Sequence, residues 1–504
     1  MAQPDTYNNE NELIDWLKYD LEEQRKEIAK DRGISKDDVK DEELVLHIGD
    51  KNKDSDAIDL LNQQYTDYNI YFNFNRILEK IDNRKNTLRK DNKDYRVCKY
   101  RINARHCIFN SDFETYQVIF EKEINFFNSK LNKCNKNKVD NNFLYCKFKN
   151  SVTFDNCSFN TDLSFNECAF FYKITFCKSK LNGNIKFHGG GFYKAEYNKK
   201  SNNEINIYFN NSFIKEKLIM NGNIIENTIN INLNNISFEN SKSLLSITNI
   251  TNKIKSISFQ NIVVGGIINI QNVKTEKVNF KGSIVTSGAV NPVEFKIDEF
   301  ENRESALFLK NEAYARNNII DALKYKAKEI EKHKEDLLEN SKDYKDWGDI
   351  FSIYLSSLYS DNGLNWVKSF LCTILFSTFF FIASYINCNI SIVMYALFIF
   401  YIINRLKLKD IAKYISNTIL LYLFTFWLLP TLYLYLDIKF LKELFKFFVP
   451  TNFDYIENAS FIYSNKISIM EATFICLSYF LGKIAFWYGS VQTVQAFRKF
   501  SKKE

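Results

Sequence analysis

Large apolar residues recur at a fixed interval in the middle of the chain. They return every 11 residues in three series, which keep constant offsets from one another. The first series is Phe143, Phe154, Phe165, Phe176 and Phe187; the second is Phe148, Phe159, Phe170, Leu181 and Phe192; the third is Val152, Leu163, Ile174 and Ile185. Neither an amphipathic helix nor a simple strand produces alternating steps of five and six residues. A solenoid does, because each short side carries one inward side chain before the chain turns a corner.

The repeat continues on both sides with less regularity, and it predicts one β-solenoid from about Tyr100 to Phe295. Its predicted core contains Phe154, Phe159, Phe165, Phe170, Phe176 and Phe187, with Cys157 and Cys168 in an inward slot for a small residue. We expect an insertion at residues 132–138, a bulge near residues 194–203, and a break of the coil at the Gly run 189–191. Asn-rich linkers fit the corners, since Asn tolerates turn conformations. The alternative is a two-sheet sandwich with coincidental spacing.

The apolar residues after Asp361 follow a different pattern. Runs over 366–386, 388–404, 415–436 and 470–489 approach the ~20 residues that a helix needs to cross a bilayer core of ~30 Å. The alternative, buried helices of a large soluble domain, leaves little polar surface to face water. The sequence therefore predicts a four-helix transmembrane domain over residues 363–504.

Positive charges give the expected orientation. The amino terminus has no basic stretch followed by an apolar core, so we expect no secretory signal. One basic cluster includes Arg405, Lys407 and Lys409, and another includes Arg498 and Lys499. Placing both clusters at the cytoplasmic membrane surface requires an even number of spans between them. Four spans place the N-terminal domains and the C-terminus in the cytoplasm and the loop 437–469 outside.

Helical segments flank the predicted solenoid. Residues 12–30 read as one helix and 56–88 as one or two more, which predicts a small helical domain over 1–97 before the solenoid at 98–300. After the solenoid, an apolar stripe from Leu309 to Leu337 predicts a long helix within a helical linker or cap at 301–362. This stripe caps the last coil, packs on residues 349–359, or joins a second copy of the chain into a homo-oligomer through residues 306–338.

Several of these stretches resemble one protein family. The A/C-x-F/L-x-x spacing is similar to that of the pentapeptide-repeat proteins, and the Phe-rich 11-residue variant resembles a membrane-attached bacterial branch of that family. Residues 306–329, 444–454 and 491–503 resemble the helix after the repeats, the loop before the last membrane helix and the ending of that branch. The resemblance implies a right-handed four-sided β-helix, a helical linker, a transmembrane domain and a place in the bacterial cytoplasmic membrane. It implies little about activity.

The chemistry-bearing residues predict no enzyme. The chain has no Gly-rich phosphate loop, GxSxG elbow or HExxH motif, and its four His residues have no partner motif. We therefore expect no catalytic residues and no cofactor. The Cys spacing contains no CxxC pair before residue 180, so we expect no metal site. Residues 98–300 hold 26 Lys and Arg against 17 Asp and Glu, a net of +9, which opposes DNA mimicry. The scattered charges favour a solvated surface near an anionic membrane over a nucleic-acid partner.

Two residues inside the predicted spans are candidates for function. Lys483 is an ionisable group within the fourth span, and Pro430 interrupts the third. The alternative for Lys483 is a side chain that snorkels to the cytoplasmic surface about two turns away. The external segment 440–454 either lies flat on the membrane or enters it before the last helix. Two functions follow: a non-enzymatic scaffold that binds protein partners on the solenoid, or an oligomeric channel that the solenoid gates.

Overall fold

The computed structural model describes residues 3–49, 66–68, 72–81, 87–90, 93–110, 113–132, 141–193, 205–225, 229–340, 344–385, 395, 438–454 and 468–501. The chain divides into two compact units, Met1–Glu329 and Ile330–Glu504. Stacked parallel strands dominate the first unit and helices form the described part of the second. The predicted order, a solenoid-like stack of strands followed by helices, is confirmed.

The described strands form three sheets. The ten-stranded sheet contains Thr6–Tyr7, Thr66–Tyr68, Cys107–Phe109, Lys130–Leu131, Ser158–Phe159, Lys180–Leu181, Phe213–Ile214, Ser237–Phe238, Val263–Val264 and Ile284–Val285. The seven-stranded sheet contains Thr87–Lys90, Lys93–Cys98, Val118–Phe120, Lys147–Phe148, Ala169–Phe170, Gly191–Phe192 and Ile224–Ile225. The 17-stranded sheet contains Val45–His47, Phe72–Asn73, Arg101–Asn103, Phe113–Tyr116, Ile124–Asn125, Asn141–Leu144, Val152–Thr153, Leu163–Asn166, Ile174–Thr175, Ile185–His188, Ile205–Tyr208, Lys217–Asn221, Ile229–Asn232, Leu244–Thr248, Lys253–Ser258, Ile267–Asn279 and Ala289–Phe300.

The pairing register gives the length of one coil. Val152 pairs with Ile174, Ser158 with Lys180, Leu163 with Ile185 and Ala169 with Gly191, all in parallel. Each partner lies 22 residues further along the chain, which is also the separation at which backbone amides donate to side-chain oxygens of the neighbouring coil. The 11-residue sequence repeat is therefore half of one coil.

Phenylalanine rings fill the core in separate stacks. Phe165 lies between Phe143 and Phe187, with centroid distances of 5.1 and 4.9 Å and nearly parallel planes. Phe154 stacks on Phe176 at 4.9 Å in a second column, and this column meets the first edge to face. All the predicted core residues are at most 3% exposed: Phe154, Phe159, Phe165, Phe170, Phe176, Phe187, Cys157 and Cys168. Offset and edge-to-face rings are the arrangements that aromatic quadrupoles favour.

Small side chains occupy one inward slot in each half of a coil. The Cys157 thiol donates to the Phe126 carbonyl at 2.9 Å, and Cys168 donates to the Phe143 carbonyl at 3.2 Å. One coil after Cys157, the Ser179 hydroxyl donates to the Phe154 carbonyl at 2.6 Å. Burial raises the pKa of the Cys157 and Cys168 thiols. Both stay protonated at neutral pH and serve as packing and hydrogen-bonding groups.

Left-handed residues turn the corners of the coil. Asn128, Asn156 and Asn211 have φ near 57° at equivalent corners, and the side-chain amide of Asn156 donates to that of Asn128 at 3.0 Å. At another corner Gly189 and Gly190 have φ of 63° and 58°, and a Cβ on Gly190 would overlap the Cys168 carbonyl. The predicted break at the Gly run is wrong: the coil continues, because these glycines supply a corner that a side chain would block. The predicted insertion and bulge lie largely outside the described residues.

The N-terminal residues differ from the predicted small helical domain. Helix α1 (Glu10–Arg32) is present, and Leu13, Trp16 and Leu17 on it join the apolar core of the first unit. Short 3-10 helices at Lys36–Asp38 and Asp41–Glu43 follow. Within 56–88 the described residues hold one helix, α2 (Phe74–Ile81), together with three strands of the sheets. Short strands in this segment pair with strands of the coil. This pairing outweighs the helical periodicity of the segment's sequence.

The segment after the strands forms three helices. These are α3 (Arg303–Ala315), α4 (Ile319–Asn340) and α5 (Tyr344–Ser360). The predicted long helix is wrong at one point, since Asn317 has φ of 57° and Asn318 accepts a hydrogen bond from the Asp321 amide, which begins α4. Phe308 stacks on Phe280 at 4.8 Å, so α3 covers the last coil.

The second unit contains three further described helices. They are α6 (Trp366–Tyr385), α7 (Ile438–Phe447) and α8 (Ile469–Ser501). Over Trp366–Tyr385 and Ile469–Arg498 two of them are long and apolar enough to cross a membrane, with mean hydropathies of 1.7 and 1.5. The predicted spans 388–404 and 415–436 lie outside the described residues.

Candidate functional site at a buried lysine

Helices α6 and α8 pack antiparallel through small and hydroxyl side chains. Ser369, Thr373 and Ser377 recur at four-residue steps on α6 and are buried. Thr493 of α8 donates to the Ser369 hydroxyl at 3.1 Å, and Gly489 lies against Thr373. Small residues let two helix backbones approach closely, which is how transmembrane helices pack in the absence of a hydrophobic drive. On the outer faces large apolar side chains stay exposed: Phe370, Leu371, Leu375, Leu477, Phe480 and Ile484.

Helix α7 packs against the α6–α8 pair through aromatic rings. Phe440 lies 5.0 Å from the Tyr385 ring, near the end of α6. Phe447, at the end of α7, lies 5.0 Å from Phe381 and 5.1 Å from Tyr479 of α8. The next residue, Phe448, lies 5.5 Å from Phe486. Helix α7 therefore extends along the pair, from the Tyr385 end towards the middle of α8.

Lys483 is the charged residue at the centre of this cluster. Its side chain is fully buried, and its ammonium donates to the carbonyl oxygens of Phe447 at 2.6 Å and Val449 at 2.7 Å. The same nitrogen lies 4.9 Å from the centroid of the Phe447 ring, 5.4 Å from Phe453 and 5.6 Å from Tyr479. Two charge-assisted hydrogen bonds and three ring faces compensate for the lost hydration of the cation.

The local sequence explains why these carbonyls need an external donor. A helix leaves its last four carbonyl groups without intrahelical partners. Pro450 follows the end of α7 and has no amide hydrogen to offer. The Asn452 amide donates to Val449 at 3.1 Å, and the Tyr479 hydroxyl donates to the Asn452 carbonyl at 3.2 Å. Lys483 satisfies the Phe447 carbonyl and adds a second donor at Val449.

Helix α8 is longer than the predicted fourth span, which ends at residue 489. Helix α8 continues to Ser501, and its contact with α6 extends to the Phe497–Trp366 ring pair. Lys483 lies about 20 Å along the helix axis from Phe497. Its side chain ends at the Phe447 and Val449 carbonyls instead of snorkelling to a surface. Segment 440–454 accordingly packs along α8 down to Lys483.

Among the other site residues predicted in the membrane domain, the structure describes Arg498 and Lys499, which lie outside this cluster. Arg498 is exposed near the end of α8, and Lys499 follows it in the same helix. Pro430, Arg405, Lys407 and Lys409 lie outside the described residues. Among the described residues, no group of three or more His, Cys, Asp and Glu is arranged to hold a metal ion.

Sequence reasoning missed the partners of Lys483 and the small-residue contact. The aromatic run Phe445-Lys446-Phe447-Phe448 before Val449-Pro450 gave a usable signal, since a proline after a helix leaves carbonyls free. The four-residue steps of Ser369, Thr373 and Ser377 gave another. Neither signal identifies which helix supplies the partner.

The comparisons with known proteins identify no relative. The chain matches no protein-family model, no curated protein and no solved structure. The resemblance to pentapeptide-repeat proteins therefore stays a prediction.

Proposed function

We propose that the chain is a non-enzymatic scaffold, anchored in a membrane by its C-terminal helices and presenting its solenoid to protein partners in the cytoplasm. One observation carries this proposal: inward and outward positions of the coil differ in chemical variety. Along the ten-stranded sheet the inward residues Phe159, Leu181, Ile214 and Val264 are all apolar and buried. The outward residues in register are Ser158, Lys180, Phe213, Ser237, Val263 and Ile284. A stiff frame with variable outward residues suits binding.

The proposed coil is right-handed and four-sided, as in the pentapeptide-repeat family. This proposal is supported by the succession of strands within one 22-residue turn. Val152–Thr153, Ser158–Phe159, Leu163–Asn166 and Ala169–Phe170 follow one another in the chain, and each pairs with the next turn. Ring stacks in separate columns fit a core enclosed by four short sides.

The proposed anchor is a multi-pass domain with both termini in the cytoplasm of a bacterium. Helices α6 and α8 supply two spans, and 388–404 and 415–436 supply two more. Exposed apolar side chains on the outer faces of α6 and α8 support contact with lipid. Arg498 and Lys499 then reach the cytoplasmic surface, where basic residues are favoured.

The second candidate function is an ion pore, and one observation favours it. If α8 crosses the membrane, the Phe447 and Val449 carbonyls at Lys483 lie within the membrane, so helix α7 ends at membrane depth. Backbone carbonyls at such a depth occur where protein or a water-filled cavity surrounds them. A pore needs several copies, joined through residues 306–338. Leu309, Ala313 and Leu323 of that stripe are already buried within the chain, which favours the scaffold.

Ion flux separates the two functions. Purified full-length protein is reconstituted into liposomes loaded with an ion-sensitive dye, beside a Lys483→Leu variant and protein-free liposomes. We expect leakage no faster than about twice the protein-free rate for both proteins, since a scaffold offers no water path. Flux that rises in proportion to protein and changes in the variant contradicts the scaffold and makes the pore the primary function.

A further inference from the structure

The surroundings of the Lys483 ammonium have the composition of a cation-binding site. Two carbonyl oxygens lie 2.6 and 2.7 Å from the nitrogen, and three aromatic centroids lie 4.9–5.6 Å from it. Carbonyl oxygens and ring faces both present negative potential to a cation that has lost its water. The described contacts of this ammonium include no carboxylate, so the site suits a single positive charge.

The two carbonyls and three rings around the ammonium form the shell of this site. Contacts that do not involve Lys483 hold this shell in place. The Val449 carbonyl accepts from the Asn452 amide at 3.1 Å, and Tyr479 anchors the Asn452 carbonyl at 3.2 Å. The Phe447 ring packs against Phe381 at 5.0 Å and approaches Gly482, where an added Cβ would lie 2.9 Å from it. These contacts position the carbonyls and rings from both sides. We therefore expect the shell to persist when the lysine side chain is shortened.

We propose that residues 447–453 and Tyr479 form a binding site for a monovalent ammonium-type cation, which the Lys483 side chain occupies as a tethered ligand. The site accepts a free primary ammonium ion when the tether is removed. The ligand class follows from the chemistry of the shell. Two carbonyl acceptors match N–H donors, and the ring faces favour a cation over an anion or a neutral group.

Chemical rescue of a Lys483→Ala variant tests this site. Alanine lacks the three methylene groups and the ammonium beyond Cβ, which are the atoms of n-propylammonium. The thermal midpoint of the full-length variant in detergent is measured against rising n-propylammonium, n-propanol, potassium and sodium chloride. We expect a saturable rise of at least about 4 °C with n-propylammonium over sodium chloride. n-Propanol, which fills the space without charge, should give less than about a quarter of that rise.

Two variants serve as controls. Lys442→Ala removes an exposed lysine from α7, the helix that ends at the site, and should not respond to n-propylammonium beyond the wild-type response. Lys483→Met fills the space with a neutral chain and should also fail to respond. If Lys483→Ala does not accumulate, it is purified with each additive present throughout, and recovery of monodisperse protein with n-propylammonium alone is the expected result.

Three results overturn the proposal. They are equal rescue by n-propanol, equal responses of Lys483→Ala and Lys442→Ala, and no rescue by n-propylammonium or potassium under either purification scheme. Rescue by potassium beside n-propylammonium supports it and extends the ligand class to monovalent cations in general.

Discussion

Replacing Phe165 with alanine is expected to lower the free energy of unfolding of the solenoid by about 4 kcal/mol. The side chain is 1% exposed and belongs to a column in which its ring stacks on Phe143 and Phe187. It also meets Phe154 and Phe176 of the neighbouring column edge to face. Alanine therefore leaves a cavity bounded by rings on several sides, and strands held in fixed register cannot collapse into it.

Urea unfolding of the full-length protein in detergent measures this effect through the β-sheet circular-dichroism signal. Tyr172→Ala is the matched control, because Tyr172 lies on the outside of the same coil with a 39% exposed side chain. It should change the free energy of unfolding by less than about 1 kcal/mol. Equal losses for Phe165→Ala and Tyr172→Ala would show that the Phe165 column is not the core of the fold.

The second large effect is expected at Gly489, where helices α6 and α8 approach each other. A Cβ at this position would overlap the Thr373 hydroxyl and come within 2.8 Å of the Tyr359 ring. We expect Gly489→Ala to destabilise the helical unit by about 2 kcal/mol, because overpacking at a close contact forces the helices apart. This loss opposes the gain of ~1 kcal/mol that alanine brings to a helix interior.

Gly348→Ala provides the comparison. Gly348 is also helical, within α5, but a Cβ there meets no atom within 4 Å. Helix propensity alone predicts an unchanged or slightly stabilised protein. Both variants are titrated with SDS in mixed micelles while the helical circular-dichroism signal is followed. A Gly489→Ala protein as stable as Gly348→Ala would mean that α6 and α8 do not pack through this contact.

The periodic part of the fold was predictable because one physical requirement repeats along it. Each coil needs large apolar residues inside, so the series through Phe154 and Phe165 identifies the core directly. The two ring columns, one through Phe165 and one through Phe154, were not separable from sequence, since an 11-residue step looks identical whether it closes a coil or half of one. Only the strand register, which pairs Ser158 with Lys180, shows that a coil takes 22 residues.

Irregular parts were less predictable, for reasons that are local. Asn317 breaks the predicted long helix by adopting a left-handed conformation, an option that asparagine has but does not always use. The Gly run after His188 suggested an interruption, yet it supplies a corner in which side chains would collide with the previous coil. Strands such as Thr66–Tyr68 form only because the coil offers a partner edge.

The candidate site likewise has one part that was predictable from sequence and one part that was not. Lys483 was predictable because an ionisable residue within an apolar run is conspicuous. Its partners were not, since the Phe447 and Val449 carbonyls are backbone atoms that carry no residue-type signal. Their availability depends on where α7 ends, and their closeness to Lys483 depends on how α7 packs along α8.

The central claim is that C-terminal helices anchor the solenoid in a membrane with its surface in the cytoplasm. It is tested most directly by alkaline carbonate extraction of membranes from cells that express the full chain, combined with protease treatment of right-side-out and inside-out vesicles. We predict that the chain stays in the membrane pellet and that protease removes the solenoid from inside-out vesicles alone. Release of the intact chain into the carbonate supernatant, or digestion of the solenoid in right-side-out vesicles, would contradict the claim.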